Sequence, residues 1–140
     1  MTSQRFQGKI AVVTGGNSGI GSGVAKAYAR EGAQVAITGR NEKNSGECGE
    51  RNRRGSLAIQ SDARNVAEIE AAIGTIGARF GRIDALFVKA GVAKLLPFEQ
   101  VTEELFGELV DINMKGCFFT HTEGRTAHAQ GDGDSPERVD

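Results

Sequence analysis

The chain alternates short apolar runs with longer stretches in which apolar residues recur every three or four positions. Residues 9–14 (KIAVVT) form a β-branched run that ends in a glycine cluster and reads as a buried strand. Residues 34–38 (QVAIT), Leu57–Gln60 and Ala85–Val88 (ALFV) read the same way. Residues 20–31 are mostly small or helix-forming, with Val24, Ala27 and Tyr28 along one side and Gly32 placed to end a helix. Residues 65–80 carry Val66, Ile69, Ile73, Ile76 and Phe80, spaced 3, 4, 3 and 4 apart, which is one face of an amphipathic helix. Asn65 and Glu68 are placed as a variant of the capping box. A second long helix is expected over residues 102–120, with Thr102 as its N-cap. Strands alternating with helices predict an α/β fold, a parallel sheet covered on both faces. Strands covered on both sides should be apolar throughout, as IAVV and ALFV are.

Two stretches fit this pattern poorly. Residues 41–54 should form the second crossover helix, yet they contain Gly46, Gly49 and Asn52 and little apolar surface. Each interior glycine costs about 1 kcal/mol against alanine, so a short or frayed helix is expected. Gly74 and Gly77 should weaken the third crossover helix in the same way. Residues 121–140 hold one large aliphatic side chain, Val139, with two basic and five acidic residues. Such a polar, glycine-containing tail reads as disorder, which puts the domain boundary at residue 120.

Composition narrows the function classes. Seventeen lysines and arginines against eighteen aspartates and glutamates leave a net charge of −1, with no basic field for nucleic acid. No apolar run approaches the ~18 residues of a membrane span, and the first ten residues lack a signal-peptide core. Cys48 and Cys117 have no metal-ligand spacing, so no metal site is expected. Two unpaired thiols suit the cytoplasm, the expected location. Glycine, in contrast, is in excess at 20 of 140 residues, about twice the usual ~7%.

Part of that excess is concentrated. Thr14 to Gly23 reads TGGNSGIGSG, between a predicted strand and a predicted helix. That is the context of a phosphate-binding turn. Gly15 would permit the tight turn, Gly19 a close backbone approach to a pyrophosphate, and Gly21 close packing of helix on strand. The first helical amides would face the anion, and the helix dipole would add about 0.3–1 kcal/mol. A nucleotide triphosphatase loop needs Lys-Ser/Thr after its last glycine; Gly21 is followed by Ser22 and Gly23.

The motif TGGNSGIG resembles the TGxxxGxG motif of the short-chain dehydrogenase/reductase family. Asp62 in SDA, Ala90-Gly91 in VKAG and Asn113 in DINMKG follow in the family's order, so the resemblance covers about residues 6–120. It implies the N-terminal part of a Rossmann-like doubly wound parallel sheet, with about four strands in the order 3-2-1-4. It implies that Thr14, Gly15, Asn17, Ser18, Gly19, Ile20 and Gly21 form the cofactor turn. By the same resemblance Asp62 and Ala63 lie beside the adenine ring, and Ala90 and Gly91 near the cofactor ribose. Asn113 matches the helix asparagine that helps hold a catalytic lysine through water.

The second predicted strand ends Thr38-Gly39-Arg40. Dinucleotide folds place an acid there for the ribose 2′-hydroxyl of NAD, whereas a nearby arginine suits a 2′-phosphate. Gly39 stands in the acid's place and the Arg40 guanidinium can fork onto a phosphate, so NADP(H) is the expected cofactor.

The resemblance breaks in two places. The family's chemistry uses a tyrosine as general acid/base with a lysine four residues later. The only tyrosine is Tyr28, in the first helix, and residue 32 is glycine. The family's serine, tyrosine and lysine lie downstream of the helix that carries Asn113, where this sequence turns into its polar tail. His121, His128 and Ser135 lie in that tail, with no fixed element expected to hold them near a nicotinamide. Lys89 replaces the family's usual asparagine, and would lean toward a cofactor phosphate or, the favoured reading, extend its ammonium to water.

Three readings stay open at this stage. The chain is an NADP(H)-dependent short-chain oxidoreductase by descent, inactive alone; or a non-catalytic dinucleotide-binding module; or a truncated or frameshifted gene product. Helix 102–120 carries Leu105, Phe106, Leu109, Val110, Ile112, Phe118 and Phe119 on more than one side, so a homo-oligomer through it is expected.

Overall fold

The computed structural model describes residues 4–40 and 55–132, with side chains through residue 127. Four strands, β1 (Ile10–Thr14), β2 (Gln34–Gly39), β3 (Leu57–Gln60) and β4 (Ala85–Val88), form one sheet in the order β3-β2-β1-β4. All three pairings are parallel, with Val12 beside Ala36 on one side and Leu86 on the other. Parallel neighbours need crossovers, and helices supply those described. They are α1 (Gly19–Arg30) and α2 (Val66–Phe80); a long helical run follows β4.

The pleat of β1 sorts its side chains between two cores. Ala11 and Val13 join Ala25 of α1 and Val35 and Ile37 of β2. Val12 faces the other way, toward Ile69, Ile73 and Ile76 of α2. Both faces are thus covered, which is why β1 is buried at every position. This is a Rossmann-like α/β arrangement.

The helix ends follow local chemistry. Gly32, at φ 93°, turns the chain out of α1. At the start of α2 the Asn65 side chain accepts the Ala67 amide at 3.1 Å and donates to Glu68 Oε1 at 3.1 Å. The second Glu68 oxygen accepts the Asp62 amide at 2.8 Å, so the box reaches back one turn further than a standard one. Thr102 accepts the Leu105 amide at 3.2 Å. Gly77 sits inside α2 where a β-carbon would make an ordinary contact with Ala127, at 3.9 Å.

The helix expected over residues 102–120 differs in two ways. It is α3 (Glu103–Val110), then a π-helical segment (Asp111–Gly116), then α4 (Cys117–Asp132). The expected disorder from residue 121 is therefore corrected: the chain stays helical through Asp132. The cause is packing by small residues. A β-carbon at Gly124 would stand 2.6 Å from Leu86 Cδ2, and its absence lets α4 lie on β4. Ala127 is buried in the core with Val12 and Ile76. The expectations for residues 41–54, for Ser135 and for the end of the tail lie outside the described residues, as does the His128 side chain.

Candidate functional site

Thr14 closes β1 and fastens it to β4. Its Oγ1 accepts the amides of Lys89 at 3.0 Å and Ala90 at 3.1 Å. The turn that follows hangs from β2, since Gly15 and Gly16 both donate to the Thr38 carbonyl, at 2.8 and 3.3 Å. Gly15 and Gly19 adopt φ of 65° and 54°, the left-handed region that favours glycine. Gly21 is required by space instead: a β-carbon there would run into the Gly15 carbonyl. A β-carbon at Gly19 meets nothing within 4 Å, so the space before the N-terminus of α1 is open. The unpaired first amides of a helix point into such a space and suit an anion.

The turn opens onto a cleft of about 260 Å³ at the carboxyl ends of the strands. Thr14, Gly15, Asn17 and Ser18 line it from the turn, Arg40 from the end of β2, Asp62 and Ala63 from the end of β3, and Ala90 and Gly91 from the end of β4. Crevices at this edge are where open α/β sheets bind ligands. Four residues singled out by sequence lie off its wall. Gly19, Ile20 and Gly21 start α1 behind the turn, with Ile20 70% exposed. Asn113, in the π-helical segment, accepts the Val92 amide and donates to the Val92 carbonyl, both at 2.9 Å. It reaches the cleft through the backbone at residues 91–92, which line it.

Several wall residues were not singled out. Thr38 and Ser61, both buried, stand at or just past the ends of β2 and β3; Ile112 and Thr120 come from the helical run after β4. Polar residues at consecutive strand ends were the available signal for the first two. Nothing local marks Ile112 and Thr120, which arrive from the helical run beyond β4.

Charge on the wall is uneven. Asp62 is forked by Arg64, whose Nε lies 3.0 and 3.1 Å from its two oxygens and whose Nη2 lies at 2.5 Å. These hydrogen bonds outweigh desolvation and hold the Asp62 carboxyl below the usual aspartate range. Arg64 also reaches Glu108 of α3 at 3.9 Å, and Lys94 pairs with the same carboxylate at 2.5 Å. Arg40 and Lys89 have no ion pair among the described residues. The Lys89 stem lies along the wall, its Cδ 3.3 Å from where a Gly15 β-carbon would sit.

The remaining candidate bases are elsewhere. Tyr28, half-buried, packs edge-on against Phe6, ring centroids 5.0 Å apart, at the margin of the core beneath α1. His121 is exposed on α4, with Nδ1 3.1 Å from the Cys117 carbonyl oxygen, and does not line the cleft. Among the described residues no three metal-ligating side chains gather, and no helix is long and apolar enough to cross a membrane.

A glycine turn between strand and helix, opening on a cleft at the strand ends, is the arrangement that dinucleotide-binding α/β folds share. The chain belongs to the short chain dehydrogenase family, whose model matches residues 9–133. It is 36% identical over 115 residues to the L-fucose dehydrogenase of Oryctolagus cuniculus, covering 81% of this chain and 40% of that protein. It is 40% identical over 118 residues to a hydroxynaphthalene reductase of Aspergillus fumigatus, covering 81% and 43%. Among solved structures, a short-chain dehydrogenase/reductase from Serratia marcescens superposes with a TM-score of 0.84 at 28% identity, over 88% of this chain and 52% of that one. A Burkholderia cenocepacia short chain dehydrogenase in complex with NADP superposes with a TM-score of 0.80 at 28% identity, covering 86% and 51%. The chain thus spans about half, or less, of the length of these relatives.

Proposed function

We propose that this chain binds a nicotinamide dinucleotide in the cleft and takes NADP(H) in preference to NAD(H). The pyrophosphate sits at the turn from Thr14 to Gly21, against the first amides of α1. Asp62 and Ala63 flank the adenine ring, and Ala90 and Gly91 flank a ribose. Asn113 acts as a positioning residue, tying the backbone at Val92 to the helical run. The observation that carries the cofactor preference is the end of β2: Gly39 and Arg40 both line the cleft, with glycine in the place of an acid. A guanidinium forks onto a phosphate and is always charged, so it favours the 2′-phosphate that distinguishes NADP. Titration with NADPH, followed by its fluorescence, tests this. Arg40→Ala is expected to weaken NADPH about tenfold, a loss typical of one charged hydrogen-bonding partner, and to leave NADH unchanged. Absence of binding, or NADPH binding untouched by Arg40→Ala, overturns the reading.

When bound, the cofactor supplies a hydride for a carbonyl or accepts one from an alcohol, the chemistry the family resemblance implies. That step also needs a proton donor at the carbonyl oxygen. Tyr28 cannot serve, because it packs half-buried against Phe6 and does not line the cleft. We infer that these 140 residues bind cofactor without turning it over. NADPH absorbance in the presence of a panel of aldehydes and ketones is expected to stay constant; consumption by clean protein overturns the inference.

A further inference from the structure

Lys89 stands where the family resemblance places an asparagine, and its ammonium has two possible destinations, water or a cofactor phosphate. Its backbone has little freedom. Thr14 Oγ1 accepts the Lys89 and Ala90 amides at 3.0 and 3.1 Å, so the end of β4 is fastened to the start of the glycine turn. A β-carbon at Gly15 would stand 3.3 Å from Lys89 Cδ and 3.4 Å from the Ala90 amide nitrogen. The lysine stem therefore runs against the first glycine of the turn, half-buried, and the residue lines the cleft. The ammonium lies one methylene beyond Cδ, so it is tethered within reach of an anion seated at the turn.

The charges on the wall favour that destination. The lining holds one carboxylate, Asp62, and Arg64 already forks it. Arg40 and Lys89 remain as cations without an ion pair among the described residues. The whole chain carries a net charge of −1, so the positive field is local to the cleft. A half-buried ammonium without a counter-charge is costly, and a bound anion offsets that cost. Turn amides and a helix terminus offer a phosphate only partial charges, whereas an ammonium offers a full one.

We propose that Lys89 is a cofactor-binding residue, whose ammonium pairs with the pyrophosphate held at the glycine turn. The inference rests on the dinucleotide reading of the cleft and adds a second cation to it. Arg40, at the end of β2, meets the 2′-phosphate that only NADP(H) carries. Lys89, at the end of β4, meets the pyrophosphate that both cofactors share. Lys89 thus sets the affinity for either cofactor, and Arg40 sets the choice between them.

Fluorescence titrations of the 140-residue chain with NADPH and with NADH, each over a salt series, test this. Lys89→Met keeps the apolar stem and removes the charge. It is expected to weaken both cofactors alike, about tenfold, a loss typical of one charged partner. It should also flatten the fall of affinity with salt, because one ionic contact is gone. Lys89→Arg keeps the charge and is expected to stay within about threefold of the parent, with the parent's salt dependence. Lys89→Gln carries the same expectations as Lys89→Met and replaces it if thermal melts show that Lys89→Met does not fold. Unchanged affinity in the neutral variant puts the ammonium in water and overturns the proposal. A loss confined to NADPH overturns it by moving the ammonium to the 2′-phosphate. A loss that keeps the parent's salt dependence overturns it by making Lys89 a packing residue. A parent chain that binds neither cofactor overturns the dinucleotide reading and this proposal with it, so the parent titration tells the two failures apart.

Discussion

Asp84 precedes β4 and gathers three neighbours at one carboxylate. It accepts the Ile10 amide at 2.8 Å and pairs with Arg82 at 3.0 Å and Lys9 at 3.5 Å. Burial alone would raise its pKa; the Ile10 hydrogen bond and the two cations outweigh burial and hold the carboxyl below the usual aspartate range. The folded state therefore favours the ionised form. The stability this gives is present above the unfolded pKa of about 4 and is lost as pH falls through the folded value. Asp84→Asn is expected to flatten the fall of melting temperature below about pH 4. A fall as steep as the parent's would count against this account. Asp84→Ala leaves the Ile10 amide without its partner and is expected to cost about 1–3 kcal/mol in urea unfolding. None of this is visible in the sequence, where Asp84 is one acid in a polar turn and its partner Ile10 lies 74 residues away. The caps at Asn65 and Thr102 are legible because a cap and its helix lie within three residues of each other.

Elements were legible where large side chains mark their period. Leu57–Gln60 and Ala85–Val88 appear with their expected limits, and α2 begins one residue after its predicted cap. Helix α4 was not legible, because its inward side is made of small residues. Gly116, Thr120, Gly124 and Ala127 are all buried, yet they contribute little hydrophobicity to a sequence pattern. Such residues describe the distance between elements rather than the apolar area they bury. Gly116 shows the requirement most directly: a β-carbon there would run into the Ala63 carbonyl, on the cleft wall. The backbone offers no cheap escape, unlike the end of a flexible side chain. Gly116→Ala is therefore expected to destabilise the chain by about 1–3 kcal/mol, the usual cost of overpacking. It should also weaken dinucleotide binding by displacing the Ser61–Asp62–Ala63 segment. Thermal melts and the fluorescence titration check the two effects together. Unchanged stability would show that the π-helical segment can slide away from the sheet, and would remove the reason for its small-residue face.

At the scale of the molecule the sheet and cleft leave one region without cover. Leu95 is 98% exposed and Phe98 90%, in the segment after β4. Phe106, Met114 and Phe118, on the helical run that follows, are each more than 60% exposed. Scattered apolar residues on a surface mean little, but five large ones exposed within 24 positions of the chain are more than scatter. Polar neighbours such as the Lys94–Glu108 pair hold this region in place without covering it. The 140-residue chain is accordingly expected to self-associate. Sedimentation velocity over a concentration series should show mass rising with concentration, and Phe106→Glu together with Phe118→Glu should return the monomer by placing like charges on the contact. Both substitutions lie outside the cleft, so NADPH affinity per chain should survive them. A monomer at every concentration would mean that these side chains find cover within the chain itself. Loss of NADPH binding with association would instead mean that the cleft depends on the contact between copies, and that the dinucleotide site is completed by assembly rather than by the fold of one chain.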